Sequence, residues 1–73
     1  MDKNILKLQG IVKEVLPGTK FKVEIKTGTL SHELIGYISG RMRMNFIKLQ
    51  KGDHVDLEVS PHDLTKGRIT YRH

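Results

Sequence analysis

The sequence contains no cysteine, which excludes disulfides, cysteine-ligated zinc, iron–sulfur clusters and thiol nucleophiles. Small secreted scaffolds usually depend on disulfides, so this absence favours a reducing compartment. No segment approaches the roughly 18 apolar residues of a membrane helix, and the polar start lacks the apolar stretch of a signal peptide. With 73 residues the chain suits one small domain, residues 1–73, and is too short for a large buried active site. We therefore expect a small, soluble, basic, intracellular domain, with residues 1–4 frayed.

Alternation of apolar and polar residues is the main structural signal, and it predicts strands that are buried on one face. Turn sequences at Pro17-Gly18, Thr27-Gly28 and Gly52-Asp53 separate the alternating segments. The predicted strands cover Leu6–Leu16, Lys20–Lys26, Leu30–Ser39, His54–Val59 and Arg68–Arg72. Gly10 falls on the inward face of the first strand, where a glycine is typical of the bend that closes a small barrel. In the last strand, residues 69 and 71 are predicted to face inward, and residues 68, 70 and 72 outward.

Between the third and fourth strands the alternation breaks, and Met42, Phe46 and Leu49 recur at the spacing of a helix. This stripe predicts a short helix over residues 41–49, with Ser39 as its cap. Three strands, a short helix and two strands are the order of the OB-fold, an all-β five-stranded Greek-key barrel. An SH3-like barrel, which also has five strands, is the alternative.

The positive charge is concentrated in two cationic segments, residues 41–51 and 66–72. They hold seven of the thirteen basic residues, including every arginine, and none of the eight acidic residues. Such clustering is typical of nucleic-acid binding, and arginine suits contacts with phosphates and base faces. The alternative is a basic surface that is simply solvated. A membrane surface would require a longer amphipathic helix than the sequence predicts, so no membrane partner is expected.

The remaining candidate residues favour binding over catalysis. Phe21, Phe46 and Tyr71 are expected in the core, whereas Tyr37 either packs or stacks on a base. The histidines lack the spacing of metal ligands, although His62 could contact RNA from its loop.

The acidic residues do not form a catalytic pair. Asp56 and Glu58 share a strand face that is expected to be solvated and to point away from RNA. We expect no enzyme activity, no metal and no cofactor.

Four stretches of the sequence resemble the family of bacterial-type translation initiation factor 1: Ile38–Arg43, Asn45–Lys48, Gly52–Val55 and Ser60–Arg72. The resemblance implies a monomeric OB-fold factor bound to ribosomal RNA at the decoding (A) site of the small ribosomal subunit. Such a factor is cytoplasmic, or lies in the plastid stroma if the source is a plastid. Such a factor would block premature entry of tRNA and assist initiation factors 2 and 3. General RNA chaperones of the cold-shock type, and small barrels that bind only protein, are the alternatives.

The resemblance also implies which residues meet the RNA. A loop of Pro17, Gly18 and Thr19 would enter the minor groove of the decoding helix, where two adenines would be displaced. From the resemblance, the charge clusters and the strand pattern together, the expected RNA-binding residues are Lys20, Lys22, Tyr37, Arg41, Arg43, Lys48, Lys66, Arg68 and Arg72. The chain departs from the family pattern in a longer turn over Thr27–Leu34, and at Met44 and His62.

Overall fold

Five strands form where the alternating segments predict them, and they close into a barrel. The computed structural model of the chain describes residues 4–38 and 48–73. The strands are β1 Leu6–Val15, β2 Lys20–Thr27, β3 Leu30–Ile38, β4 His54–Val59 and β5 Lys66–Arg72. Most of the predicted helix over residues 41–49 lies outside the described residues, and its last two positions, Lys48 and Leu49, are in irregular structure. In the described ranges no helix is long and apolar enough to cross a membrane.

The strand order around the barrel is β1-β2-β3-β5-β4, so neighbours in space are not always neighbours in sequence. β1 pairs antiparallel with both β2 and β4, while β3 and β5 pair in parallel. This Greek-key order confirms the predicted OB-fold. It also brings β3 beside β5, the last strand of the sequence.

The barrel closes at Gly10, as the sequence predicts. The first half of β1 pairs with β4 as far as Ile11, and at Ile11 the strand begins to pair with β2. A Cβ atom on Gly10 would lie 2.6 Å from Val23 Cγ1 and 2.9 Å from the carbonyl oxygen of Glu24. Only a glycine permits this close approach between β1 and β2.

Among the described residues, ten buried apolar side chains fill the barrel interior, and they come from all five strands and the segment before β4. They are Val12, Phe21, Val23, Ile25, Leu34, Leu49, Val55, Leu57, Val59 and Ile69. The burial of Phe21 and Leu49 confirms two of the predicted core positions, while Phe46 lies outside the described residues.

Tyr71 was expected in the core, and this expectation is wrong: 57% of its surface is exposed. Ile69 pairs with Leu57, but Tyr71 pairs with Asp56, so β5 carries one residue more than β4 at this point. This bulge at Thr70 reverses the alternation. Tyr71 therefore turns outward, and Arg72 moves to the side of the sheet that the buried Val55 occupies.

Candidate nucleic-acid interface

A basic face lies on the outside of β2, β3 and β5. Tyr37 of β3 pairs with Lys20 on one side and with Arg68 on the other. Two residues earlier in β3, Ile35 pairs in the same way with Lys22 and Lys66. Because paired residues point to the same side of a sheet, these side chains form two parallel rows. We define the basic face as Lys20, Lys22, Ile35, Tyr37, Lys66 and Arg68.

The strand sequences explain why this face points outward. Phe21, Gly36 and Gly67 stand between the members of the two rows and are buried. A Cβ atom on Gly67 would lie 2.9 Å from Val59 Cγ2, so β5 runs close against the core while its basic neighbours face solvent. Because inward and outward residues alternate along these strands, the pattern that buries the core residues also exposes the basic side chains.

Tyr37 is half-buried at the centre of the row that it forms with Lys20 and Arg68, and its ring has a cation beside it. The ammonium of Lys20 lies 5.9 Å from the centroid of the Tyr37 ring, within the range of a cation–π interaction. This contact keeps the lysine over the face. An aromatic ring and cations placed together in this way can contact both the bases and the phosphates of an RNA.

Carboxylates border the basic face on both sides. Glu14 of β1 lies 3.7 Å from the ammonium of Lys22, and Glu58 of β4 pairs with the guanidinium of Arg68. Glu58, which the sequence places on a solvated face expected to point away from RNA, thus contacts Arg68, one of the expected RNA-binding residues. Charge counting along the chain missed this pair because its partners are ten residues apart.

The β1–β2 loop extends from the edge of this face, directly before Lys20. Pro17, Gly18 and Thr19 are exposed, and the N–H of Leu16 donates to the carbonyl of Lys20 at 3.0 Å to close the turn. Gly18 has a φ of 79°, a conformation that glycine adopts without strain. A Cβ atom there would meet no atom within 4 Å, so the loop stands clear of the barrel.

The β4–β5 loop is fastened to β3, and this fixes the start of β5. The Nε2–H of His32 donates to the carbonyl of Leu64 at 2.7 Å, and the N–H of Ile35 donates to the carbonyl of Thr65 at 2.9 Å. Lys66 follows directly, so these bonds position it in the row that it forms with Ile35 and Lys22. This role of His32 is not evident from the sequence, because only the parallel pairing of β3 and β5 brings His32 to the loop.

Within the same loop, Asp63 accepts hydrogen bonds from the hydroxyl and the N–H of Thr65. These bonds, that from the hydroxyl first, hold the pKa of the Asp63 carboxyl below its ordinary value of 3.8. The exposed His62 donates its N–H to the hydroxyl of Ser60 in this loop. The loop thus has an internal hydrogen-bond structure of its own.

Arg72 lies apart from the basic face and has a structural contact. Its guanidinium donates to the carbonyl of Lys48 at 2.9 Å and lies 4.0 Å from a carboxylate oxygen of Asp53. These contacts tie the end of β5 to the segment before β4. The side chain of Lys48 is exposed, and the predicted positions Arg41 and Arg43 lie outside the described residues.

The described residues contain no group of three or more histidine, aspartate or glutamate side chains arranged to hold a metal ion. The side chains on the basic face can supply positive charge, hydrogen bonds and ring contacts. These are the groups that meet a polyanion.

Comparison with known proteins gives a family and a fold. The family model described as translation initiation factor 1A / IF-1 matches residues 2–73. The solution structure of translation initiation factor 1 from the Wolbachia endosymbiont strain TRS of Brugia malayi is similar, with 34% identity and a TM-score of 0.75. That match covers 97% of this chain and 80% of the other.

A second solved structure shows the fold alone. The crystal structure of YjeQ from Thermotoga maritima matches 93% of this chain and 23% of that protein, with 22% identity and a TM-score of 0.71. The family match, which extends over nearly the whole chain, is the stronger finding. The chain belongs to the translation initiation factor 1A / IF-1 family.

Proposed function

We propose that this chain binds the ribosomal RNA of the small ribosomal subunit at the decoding (A) site during initiation. There it blocks premature entry of tRNA and assists initiation factors 2 and 3. The observation that carries the proposal is the convergence of Lys20, Lys22, Tyr37, Lys66 and Arg68 on one face beside the β1–β2 loop. Family membership supplies the ribosomal context.

The geometry suits an RNA helix. The minor groove of A-form RNA is wide and shallow, and an exposed three-residue turn can enter it. Lys20 stands at the base of that turn, where its ammonium meets a phosphate next to the groove. The guanidinium of Arg68 and the ammonium of Lys66 extend the phosphate contact across β5. Tyr37 between them offers a ring edge and a hydroxyl to a displaced base.

The proposed role is binding, with no catalytic step and no cofactor, by a cytoplasmic monomer. A general single-stranded RNA chaperone is the second candidate, because such proteins also use barrel faces of this kind. They stack successive bases on several aromatic rings. Among the described residues Tyr37 is the one aromatic side chain on the basic face, which favours recognition of backbone and shape.

The test is chemical footprinting of the decoding-site adenines on purified small subunits, with Gly18→Val compared against Gly28→Val. Gly28 closes the β2–β3 turn with a φ of 63°, and a Cβ atom there would also meet nothing within 4 Å. Both variants therefore place a β-branched residue at a positive φ in a turn while sparing the barrel. We expect Gly18→Val to lose protection of the adenines and Gly28→Val to keep it.

Cosedimentation with small subunits, competed by ligands of the A site, completes the test. A chaperone would bind unstructured RNA as tightly as it binds the subunit and would not be displaced by those ligands. Equal footprints from the two folded glycine variants would contradict the role given to the β1–β2 loop.

A further inference from the structure

Two of the four cations on the basic face are already neutralised by carboxylates of the chain. Glu14 from β1 pairs with Lys22, and Glu58 from β4 pairs with Arg68. Within residues 4–38 and 48–73, no carboxylate lies within ion-pair distance of Lys20 or Lys66, although the charge of Lys66 helps to lower the pKa of Asp63. Each row therefore holds one cation in an ion pair and one cation outside any ion pair.

We propose that Glu14 and Glu58 are specificity-determining residues, which lower the affinity of the basic face for arbitrary RNA. This inference rests on the proposed function. A phosphate of an unrelated RNA that approaches from the side of the carboxylate must displace it to reach Lys22 or Arg68, so the lost ion pair offsets the new contact. Arbitrary RNA is then held mainly by Lys20 and Lys66.

A partner of the right shape need not break the pair. A guanidinium has five N–H donors, and one carboxylate cannot occupy all of them. Glu58 therefore holds Arg68 in one orientation and leaves donors for a phosphate that approaches from the correct direction. Fixing the side chain before binding also reduces the entropy that binding loses. The same carboxylate thus weakens unspecific binding while leaving specific binding intact.

The two pairs are expected to differ in strength. The Glu58 side chain is 25% exposed and faces a planar guanidinium, whereas the Glu14 side chain is 59% exposed and faces a flexible ammonium. Solvent and salt screen the second pair more strongly. Glu58 should therefore contribute more to specificity than Glu14.

The experiment measures affinity for a 20-nucleotide oligouridylate and for purified small subunits over a range of salt concentrations. Glu58→Gln and Glu14→Gln are compared with Asp56→Asn. Asp56 lies two residues from Glu58 on the same side of β4, and its carboxylate contacts His73. Its substitution removes the same charge without releasing a cation of the basic face.

We expect Glu58→Gln to bind oligouridylate about three-fold more tightly than Asp56→Asn does, consistent with the value of an exposed ion pair. The slope of log affinity against log salt should steepen by about 0.7, since one more phosphate is neutralised. Glu14→Gln should show a smaller gain in the same direction. Binding to small subunits should stay within about two-fold of wild type, and Glu58→Asp should restore the weak binding of oligouridylate.

Equal affinity and salt slope for Glu58→Gln and Asp56→Asn on oligouridylate would overturn the proposal. An equal gain on oligouridylate and on small subunits would also overturn it, because specificity would not change. A wild-type protein without preference for small subunits would instead refute the proposed function. The comparison of the two variants on oligouridylate would still decide whether Glu58 competes with phosphate.

Discussion

Replacing Leu57 by alanine tests the inward face of β4, because this side chain is 1% exposed at the centre of the barrel. The substitution removes three carbon groups, and at about 0.8 kcal/mol for each the lost burial amounts to about 2.4 kcal/mol. Any cavity that the barrel cannot fill adds about 24 cal/mol per Å³. We therefore expect the free energy of unfolding to fall by about 3 kcal/mol.

That loss is large for a domain of this size. At roughly 0.05–0.15 kcal/mol per residue, a 73-residue chain has a total stability of about 4–11 kcal/mol. Small domains lose about 4–8 °C in melting temperature per kcal/mol, so Leu57→Ala should melt about 12–24 °C below wild type. Thermal and urea unfolding followed by circular dichroism measure both quantities.

Leu30→Ala is the matched control, because it makes the same chemical change at a leucine that is 72% exposed at the start of β3. Its free energy of unfolding should stay within about 0.5 kcal/mol of wild type. If the two variants unfold at the same temperature, the assignment of inward and outward faces is wrong.

Three further substitutions test other parts of the structure. Tyr71→Ala should change the free energy of unfolding by less than about 1 kcal/mol, because the ring is outside the core. A loss of stability as large as that of Leu57→Ala would show that Tyr71 is part of the core. Asp63 has a lowered pKa in the folded chain, so it stabilises the fold above its ordinary pKa of 3.8, and this contribution is lost as the pH falls through the folded value. Urea unfolding at a series of acid pH values should therefore show a flatter profile for Asp63→Asn, and identical profiles would refute the linkage. Arg68→Ala should weaken binding to small subunits and lower the salt slope by about 1. Loss of its ion pair with Glu58 should lower the melting temperature by no more than about 8 °C. An unchanged slope would show that Arg68 is not part of the interface.

Period-two alternation predicted the faces of β2 and β4 because each of these strands keeps one buried face along its whole length. It failed at the end of β5, where the bulge at Thr70 adds one residue. A second irregularity lies in β1, where Val12 pairs with Val23 but Glu14 pairs with Lys22. Bulges depend on how two strands fit together, so a pattern within one strand cannot reveal them.

The candidate site could be predicted in part for a similar reason. Clustering along the sequence identified Lys66 and Arg68 as candidates, the strand pattern offered Tyr37 as a residue that either packs or stacks on a base, and the family resemblance added the lysine beside the β1–β2 loop, Lys20. That these residues form two rows follows only from the pairing of β3 with β2 and β5. The counter-charges could not be predicted at all, since Glu14 and Glu58 come from strands whose position beside the face depends on barrel closure.

Arg68 and Arg72 show how far a cationic segment can differ from a cationic surface. They stand four residues apart in one strand, so regular alternation would place both on the same side of the sheet. The bulge at Thr70 separates them: Arg68 stays beside Tyr37, while Arg72 shares a side with Val55 and donates to the carbonyl of Lys48. One inserted residue thus leaves Arg68 on the outer face, where a ligand can reach it, and places Arg72 where it bonds to the segment before β4. Among the described residues, the salt dependence of RNA binding should therefore depend on the cations of the basic face, and not on every basic residue of segment 66–72.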